Sequence, residues 1–374
     1  MKVGFFSFHT FSRPGGVKTH ILGLKKEFEK RKIETKILAP RRHFFEKYKD
    51  VILLGTSFKI NFGGGETDFD IVFTPFSIER VLKRENFDIL HFHNFGFPAI
   101  LQVLNSPLAK KPLKIMTFHS NLERSKILKE WPFFVSLLNK VLNWRIDGLI
   151  LVSPYLLKFF EEYKGPKKVI PNGVDIEKFE KAKKIKKFLD SKINILYVGR
   201  IEERKGLIYL LRAFKILQKK FKNLRLIVVG DGEKEKECKD FVKKEKLKNV
   251  IFEGAVSQEK IPSYYKSCHI FCAPSIYGES FGIVLLEAMA AKKPIVAFNI
   301  PGFNEVIKGK GQIFLAKPKD IEDLSKKLQI LIENKNLRKE MGQWGFKEVQ
   351  KYSWEKIAEK VLNFYKSCLK TRAS

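Results

Sequence analysis

Short apolar runs alternate along the whole chain with longer stretches in which apolar residues recur at helical spacing. In the first half the apolar runs cover residues 2–8, 88–93, 114–119 and 148–153. In the second half they cover residues 193–199, 224–230, 249–254, 269–275 and 294–298. The stretches between them, such as 17–32 and 132–145, have the pattern of amphipathic helices. Because strands that alternate with helices form parallel sheets covered on both faces, each half predicts a doubly wound α/β domain.

The length of 374 residues suits two such domains. A lysine-rich stretch at 178–192 separates the halves, and we interpret it as a linker or surface helix. From Ser353 the pattern predicts a final helix with Ser353 as its N-cap. We therefore expect Rossmann-like domains over 1–170 and 171–352 that face each other across a cleft. Residues 353–374 are expected to form a C-terminal helix and tail that cross back onto the N-terminal domain.

Charge adds a constraint on partners. The chain has 72 Lys and Arg against 41 Asp and Glu, a net charge of +31, which attracts nucleic acid, anionic lipid or phosphorylated substrates. The charge is spread through most amphipathic stretches, and no helix-turn-helix, zinc-finger or RNP-like motif is present, so nucleic-acid binding is the remote alternative. Neither a signal peptide nor an apolar run of membrane-spanning length is visible, and four scattered cysteines fit a reducing compartment. Any membrane contact is therefore expected to be peripheral.

Glycines and cations follow two predicted strands at places suited to a diphosphate. Pro14-Gly15-Gly16-Val17 separates the first strand from the first helix, where glycine lets backbone N–H groups approach an anion. A plain tight turn explains this motif equally well. Arg200 and Lys205 follow the strand that ends at Gly199, and two cations there can neutralise a diphosphate.

The most specific feature is the segment 278–291, in which two carboxylates stand eight residues apart. Glu279 is predicted in a loop, where it can accept hydrogen bonds from sugar hydroxyls. Glu287 is predicted two turns along the next helix, where it can accept both hydroxyls of a ribose. The amides near Gly282 and Ile283 would form a helix N-terminus for the phosphates. Because its neighbours are apolar, an exposed position without a role is the less favoured interpretation of Glu287.

Three groups could suggest a metal ion, and each has a favoured alternative. His91 and His93 share one strand face, but a third ligand is not evident, so hydrogen-bonded packing or cleft lining is favoured. The Asp-x-Asp at 68–70 lies in a glycine-rich, hairpin-like stretch far from the phosphate loops. Cys268 and Cys272 lie on one predicted strand without a second ligand pair, which favours core packing.

Residues 75–84 predict a short basic amphipathic helix. Its apolar residues recur at helical spacing beside Arg80, Lys83 and Arg84. Such helices lie in the lipid interface, so these three residues are candidate membrane contacts. The alternative is that Ile78 and its apolar neighbours pack on the sheet while the charges face water.

In this order and spacing, the motifs resemble the family 4 retaining glycosyltransferases of the GT-B fold, and among them the phosphatidylinositol mannosyltransferases of actinobacteria. The resemblance covers nearly the whole chain and rests on PGGV (14–17), FDILHFH (87–93), TFH (117–119), PNGVD (171–175), GR…KG (199–206), CAP (272–274) and GESFGIVLLEAMAA (278–291). It implies that the N-terminal domain binds the acceptor and the C-terminal domain binds the nucleotide sugar.

The resemblance also implies a role for each matching residue. The catalytic residues, which meet the transferred sugar, are His119 and Glu279. The donor-binding residues are Gly16, Arg200, Lys205, Val256, Phe281, Gly282, Ile283 and Glu287. The acceptor-binding residues are His9 and Arg124. No protein nucleophile is implied, because the leaving phosphate helps to deprotonate the acceptor on the front face of the sugar.

The implied activity is the transfer, with retention, of a mannose- or glucose-type hexose from a GDP- or UDP-sugar to a lipid-linked or membrane-surface acceptor. No cofactor is expected to be required, and Mg²⁺ can assist without being essential. The expected partners are the nucleotide sugar and an anionic membrane surface or lipid, without nucleic acid, and the expected location is the cytoplasmic, inner face of the membrane. His9 replaces a Tyr that contacts inositol in the mannosyltransferases, and residues 256–260 differ near the base apart from Val256. A sugar-nucleotide 2-epimerase of the same fold is the alternative.

Overall fold

The computed structural model describes residues 1–12, 15–43, 45–62, 65–74, 76–119 and 133–373, without the side chains of residues 59–68 and 373. Pro14, Pro75 and Arg124, together with the Asp68 side chain, therefore lie outside the described part of the chain. The chain divides into two compact units. Unit 1 comprises Met1–Asn172 and Trp354–Ser374, and unit 2 comprises Gly173–Ser353.

The described part of unit 1 contains an eight-stranded sheet. Its strands are β1 (Lys2–Ser7), β2 (Glu34–Arg41), β3 (Val51–Phe62), β4 (Gly65–Ile71), β5 (Ile89–His93), β6 (Leu113–Phe118), β7 (Gly148–Leu151) and β8 (Lys167–Val169). The strand order is β4-β3-β2-β1-β5-β6-β7-β8. β3 and β4 pair antiparallel as a hairpin, and the other neighbours pair parallel.

Helices cover this sheet because each has one apolar face. The α-helices described in residues 1–172 are α1 (Gly16–Lys30), α2 (Ser77–Glu85), α3 (Ala99–Asn105) and α4 (Phe133–Arg145). Ile21, Leu24 and Phe28 recur at helical spacing on α1 and are fully buried in the same core as Phe5 of β1. This packing fixes the start of α1 next to the carboxyl end of β1.

Unit 2, all of whose residues are described, has a six-stranded parallel sheet. Its strands are β9 (Ile193–Val198), β10 (Leu224–Val229), β11 (Val250–Gly254), β12 (Ile270–Ala273), β13 (Ile295–Phe298) and β14 (Leu315–Ala316), in the order β11-β10-β9-β12-β13-β14. Its helices are α5 (Ile176–Glu180), α6 (Leu207–Lys220), α7 (Glu235–Lys244), α8 (Ile261–Ser267), α9 (Ile283–Ala290), α10 (Pro301–Asn304), α11 (Ile321–Glu333) and α12 (Lys335–Val349).

The last helix, α13 (Trp354–Ala373), belongs to unit 1. Ile357, Val361 and Phe364 recur along it and join the core that contains β1 and α1. The hydroxyl of Tyr365 hydrogen-bonds the Nδ1 atom of His91 on β5 at 2.6 Å. The helix is therefore an integral part of unit 1, although unit 2 precedes it in the chain.

Strand order also shows where each unit can bind a ligand. In unit 1 the order reverses between β1 and β5, and in unit 2 it reverses between β9 and β12. At such a switch point the connecting loops diverge, and open α/β sheets bind ligands at the carboxyl ends of the strands there. The predicted site residues His9, Gly16, Arg200 and Lys205 follow β1 or β9, the first strand of each switch point.

The prediction of two Rossmann-like α/β domains with parallel sheets is confirmed, and the nine predicted strands are all present. Residues 178–192 lie within unit 2, where they form the end of α5 and a 3₁₀ turn at Lys186–Phe188 on a mostly exposed surface. Phe188 is buried, and Asp190 pairs with Arg225 of β10, so this stretch packs as part of unit 2. No helix among the described residues combines the length and apolar character needed to cross a membrane.

Candidate functional site

Four charged side chains form an ion-pair network at the carboxyl ends of β9 and β12. The Oε1 atom of Glu279 accepts hydrogen bonds from Arg204 Nη1 at 2.8 Å and from Lys205 Nζ at 2.6 Å. Glu202 pairs with the Nε of the same Arg204. The four side chains are only 10–15% exposed, so their charges are weakly screened by solvent.

A backbone approach at Gly206 brings these residues together. Residues Glu203–Lys205 form a 3₁₀ turn that ends at Gly206, whose φ is +66°. A Cβ atom at Gly206 would lie 2.0 Å from the carbonyl oxygen of Pro274, which follows β12. Only glycine therefore allows the loop after β9 to lie against the loop after β12. This contact explains physically why Lys205 is followed by glycine.

The carboxylate of Glu279 is held in its charged form. Burial alone would raise its pKa, but the charges of Lys205 and Arg204, and hydrogen bonds from Lys205 and Ser275, lower the pKa to about 2. The Ser275 hydroxyl also donates to Oε1, at 3.2 Å. No hydrogen bond among the described residues reaches Oε2 of Glu279, so one oxygen anchors the side chain and the other can accept from a ligand.

The second carboxylate, Glu287, has a different environment. It lies on α9, partly buried, and its Oε2 atom accepts a hydrogen bond from the hydroxyl of Tyr265 at 2.9 Å. Burial raises the pKa of Glu287 to about 7. The two carboxylates of the motif are thus distinguished by their surroundings: Glu279 has two cationic partners, whereas Glu287 has a neutral phenol.

The start of α9 lies between these two carboxylates in the sequence. Gly282 precedes the helix with a φ of +93°, and Ile283 is its first residue. The side chain of Phe281 is buried against Tyr352, with ring centroids 5.6 Å apart, so Phe281 offers only its backbone to a ligand. The first backbone N–H groups of a helix have no partner within it and attract anions.

Arg200 lies at the exposed margin of the ion-pair network, and Val256 follows a different strand. The Arg200 guanidinium is 54% exposed and lies 3.3 Å from Glu202, and it is the exposed cation at the end of β9. Val256 follows β11 and is half-buried. Both lie at carboxyl ends of unit 2 strands, as the sequence predicts.

In unit 1, three histidines from different elements meet. His93 ends β5, His119 follows β6, and His20 lies on α1. The Nδ1 atom of His93 lies 3.1 Å from Nε2 of His119. His20 Nδ1 donates to Oδ1 of Asn172 at 2.8 Å. Burial lowers the pKa of all three rings, so they are neutral near neutral pH.

Asn94 joins the loops at the switch point of unit 1. Its amide nitrogen donates to Nε2 of His9 at 3.0 Å, and its carbonyl oxygen accepts from the backbone N–H of His119 at 2.7 Å. Asn94 therefore positions two of the predicted residues of unit 1, His9 and His119. Gly16 begins α1 in the same unit, and Arg124 lies outside the described residues.

The expectation that α2 inserts apolar residues into a membrane is corrected by their burial. Ile78, Val81 and Leu82 are all buried within unit 1 and cannot contact lipid. The basic side chains of α2 are exposed, namely Arg80, Lys83 and Arg84. This helix can therefore contact an anionic surface only through its charges.

Sequence reasoning missed residues that hold the predicted ones in place. They include His20, Asn94, Asn172, Arg204, Tyr265 and Ser275. Asn172 and Arg204 lie inside motifs that the resemblance had already matched, but neither motif assigns them a role. No local signal marks His20 or Tyr265, because each meets its partner only through the packing of a helix on its sheet.

Comparison with known proteins agrees with this architecture. Residues 14–178 match the model of Glycosyltransferase Family 4, and residues 178–348 match that of Glycosyl transferases group 1. The phosphatidyl-myo-inositol mannosyltransferase of Mycobacterium leprae is 29% identical over 98% of this chain and 97% of its own length. An uncharacterized glycosyltransferase of Methanocaldococcus jannaschii is also 29% identical, over 94% of each chain. These matches do not favour the epimerase alternative.

Solved structures show the same fold. Sucrose-phosphate synthase from Thermosynechococcus elongatus superposes with a TM-score of 0.79 at 17% identity, covering 99% of both chains. HepE from Anabaena, solved with UDP and glucose, gives a TM-score of 0.76 at 19% identity, covering 98% of this chain and all of the other. At these identities the likeness establishes the fold alone.

Proposed function

This chain belongs to the family 4 glycosyltransferases of the GT-B fold, and on that premise we propose that it is a retaining hexosyltransferase. It moves a mannose- or glucose-type hexose from a nucleotide-diphosphate sugar, with GDP or UDP as the nucleotide, to a lipid-linked or membrane-surface acceptor. The observation that carries this proposal is the Glu279 carboxylate, which is anchored through one oxygen by Arg204, Lys205 and Ser275.

The donor is held by unit 2 in this proposal. Glu279 accepts hydrogen bonds from sugar hydroxyls through Oε2, while its Oε1 contacts keep the carboxylate charged and oriented. Glu287 accepts the ribose hydroxyls, which replace solvent beside the existing bond from Tyr265. The backbone at Gly282 and Ile283 receives the phosphates, and Val256 lies near the base. A fixed carboxylate costs little reorganisation when the sugar acquires positive charge in the transition state.

The leaving diphosphate gains its stabilisation from cations. Arg200 is exposed at the carboxyl end of β9 and contributes a bidentate fork, and Lys205 contributes a second charge. Gly16 contributes a backbone N–H from the start of α1. The acceptor hydroxyl is deprotonated with help from the leaving phosphate, so the protein supplies alignment and charge and no nucleophile. No metal ion is required, and Mg²⁺ is dispensable.

Unit 1 carries the groups that we assign to the sugar and the acceptor. The neutral His119 ring contacts the sugar near its reacting carbon, and its backbone is fixed by Asn94. His9, held by the same amide, and Arg124 contact the acceptor. The mannosyltransferase names of the relatives at 29% identity support a membrane lipid as the acceptor class.

The proposed division between sugar and nucleotide contacts is testable by titration and turnover. Glu279→Gln and His119→Ala should lower turnover far more than affinity for the bare nucleoside diphosphate, because their partner is the sugar. Arg200→Ala and Glu287→Gln should each weaken nucleotide binding by roughly 1–3 kcal/mol, the value of a lost charged hydrogen bond. Calorimetry with UDP and GDP measures the affinity and identifies the preferred base, and sugar release measures turnover.

Glu340→Gln provides a matched control. Glu340 is an exposed carboxylate on α12 of the same unit, and its replacement should change neither quantity. Equal losses of nucleotide affinity and turnover in the Glu279 and His119 variants would contradict the assigned roles. Complete, reversible loss of activity with a chelator would contradict the proposal that the reaction needs no metal.

A further inference from the structure

Among the buried histidines of unit 1, His20 differs from His91 in how its ring nitrogens are satisfied. His91 is fully buried and both of its nitrogens have partners, Thr117 Oγ1 and the Tyr365 hydroxyl, each at 2.6 Å. His20 is also buried, but its Nε2 atom has no hydrogen-bond partner among the described residues. A buried polar atom without a partner costs free energy, so His91 has a purely structural environment and His20 does not.

The tautomer of His20 follows from its one hydrogen bond. The Oδ1 atom of Asn172 can only accept, so Nδ1 of His20 carries the proton and donates it at 2.8 Å. The partnerless Nε2 atom therefore holds a lone pair. Metal-binding histidines show this arrangement: one nitrogen donates to an oxygen that orients the ring, and the other binds the ion.

The spacing of the rings suits one ion. One nitrogen from each of His20, His93 and His119 can be chosen so that all three lie within 4.8 Å of one another. The facing nitrogens of His93 and His119 are 3.1 Å apart. With metal–nitrogen bonds of about 2.0–2.1 Å, the nitrogens of a tetrahedral site are about 3.4 Å apart, so small ring rotations would complete the site.

The ring centroids support the same geometry. They are separated by 5.5 Å for His20 and His93, 4.6 Å for His20 and His119, and 5.4 Å for His93 and His119. Rings that share a tetrahedral ion have centroids about 5 Å apart, given the same bond lengths. The three ligands come from α1, from the end of β5 and from the residue after β6, so the fold holds their backbones in place.

We propose that His20, His93 and His119 form a binding site for a divalent transition-metal ion, with Asn172 orienting His20. Three imidazoles without a carboxylate suit Zn²⁺, Co²⁺, Ni²⁺ or Cu²⁺ and do not suit Mg²⁺ or Ca²⁺. The site has three protein ligands and a fourth position for water. Because His119 is only half-buried, the open position lies toward the accessible side of this group.

One consequence rests on the proposed function. If His119 contacts the transferred sugar, an ion that occupies its lone pair competes with that contact. Zn²⁺ would then inhibit sugar transfer, and more donor would relieve the inhibition. The site would thus couple the enzyme to the transition-metal supply without taking part in the chemistry.

The binding test uses the full chain after chelator treatment and does not depend on activity. Co²⁺ is added while the visible absorption is recorded, and Zn²⁺ is then added to displace it. We expect intense tetrahedral Co²⁺ bands that saturate at one ion per chain. His20→Gln and His93→Gln should weaken Co²⁺ binding more than about 100-fold, and Asn172→Ala roughly 10–100-fold, as outer-shell partners do.

His43→Gln is the matched control, because His43 is an exposed imidazole in the same unit. Circular dichroism shows whether each variant is folded. Absence of tetrahedral Co²⁺ bands in the folded wild-type protein overturns the site whatever the variants do. Equal Co²⁺ affinity in the His43 and His20 variants also overturns it. Co²⁺ binding without inhibition by Zn²⁺ upholds the site and contradicts the role assigned to His119.

Discussion

At the scale of single residues, Glu287 shows how a carboxylate proposed to bind a ligand can reduce stability. Its folded-state pKa of about 7 lies above its ordinary value because burial disfavours the charged carboxylate. The folded protein therefore binds more protons than the unfolded chain between these values, and stability falls as the pH rises through that window. Above it, the wild-type protein carries the full cost of a buried charge.

Glu287→Gln should remove this pH dependence, because the amide cannot ionise and still accepts from Tyr265. We expect the unfolding free energy of the variant, relative to wild type, to rise by roughly 1–3 kcal/mol between about pH 5 and about pH 8, at about 1.4 kcal/mol per pKa unit. Urea titrations at several pH values measure it. The exposed Glu340→Gln control should show a constant difference, and a constant difference for Glu287→Gln would contradict the burial argument.

The positions of the candidate site residues relative to the strands could be predicted from the sequence. The side chains that they contact could not. Glu279, Glu287 and Lys205 follow predicted strands at fixed offsets, so the sequence places them at a sheet edge. The pairing of Lys205 with Glu279 depends on how closely two loops approach at Gly206, which local pattern does not determine. The third histidine was missed for the same reason, since His20 reaches His93 only because α1 packs on the sheet.

At the scale of elements, hydrophobic spacing predicted which helices exist but not always where their apolar faces point. The apolar residues of α2, Ile78, Val81 and Leu82, have a spacing that suits a lipid surface as well as packing on a sheet. In the structure they are buried within unit 1. The sequence analysis did not assign β2, β3, β4, β8 and β14 as strands, although β3 begins with the apolar run 51–54. Four of these five lie toward the edges of their sheets, where less apolar surface has to be buried.

The contact between α1 and α13 provides an element-scale prediction. A Cβ atom on Gly23 of α1 would lie 2.2 Å from the indole of Trp354, whereas one on Gly15 would meet nothing within 4 Å. Gly23→Ala should therefore destabilise unit 1 by about 1–3 kcal/mol, the usual cost of overpacking, despite the better helix propensity of alanine. Gly15→Ala creates no clash and should cost only the N-cap preference of glycine over alanine, about 1 kcal/mol. Chemical denaturation followed by tryptophan fluorescence compares the stabilities of the two variants. Equal stability would show that α13 can shift away from α1 at little energetic cost.

At the scale of the whole molecule, two explanations of an attraction to anionic membranes have to be distinguished. One is the net charge of +31, and the other is a localised contact at α2. The basic residues of α2 are exposed, while its apolar residues are buried. Phe73 and Phe76, 62% and 76% exposed, lie just before this helix and can supply the apolar contact that its buried face cannot. Each basic residue near an anionic surface contributes about 1 kcal/mol, so we predict that the three on α2 contribute about 3 kcal/mol to a weak, reversible attachment.

Vesicle flotation separates the two explanations. The wild-type protein should float with anionic vesicles at low salt and less at high salt, because ions screen the attraction. The triple variant Arg80→Ser, Lys83→Ser, Arg84→Ser should float less. A triple variant of unit 2, Lys243→Ser, Lys244→Ser, Lys248→Ser, changes the net charge equally at exposed positions and should float like wild type. If both variants lose the same fraction, total charge causes the attraction and α2 has no special role. If the wild-type protein ignores anionic vesicles at low salt, the acceptor is soluble and the proposed membrane-surface acceptor is wrong.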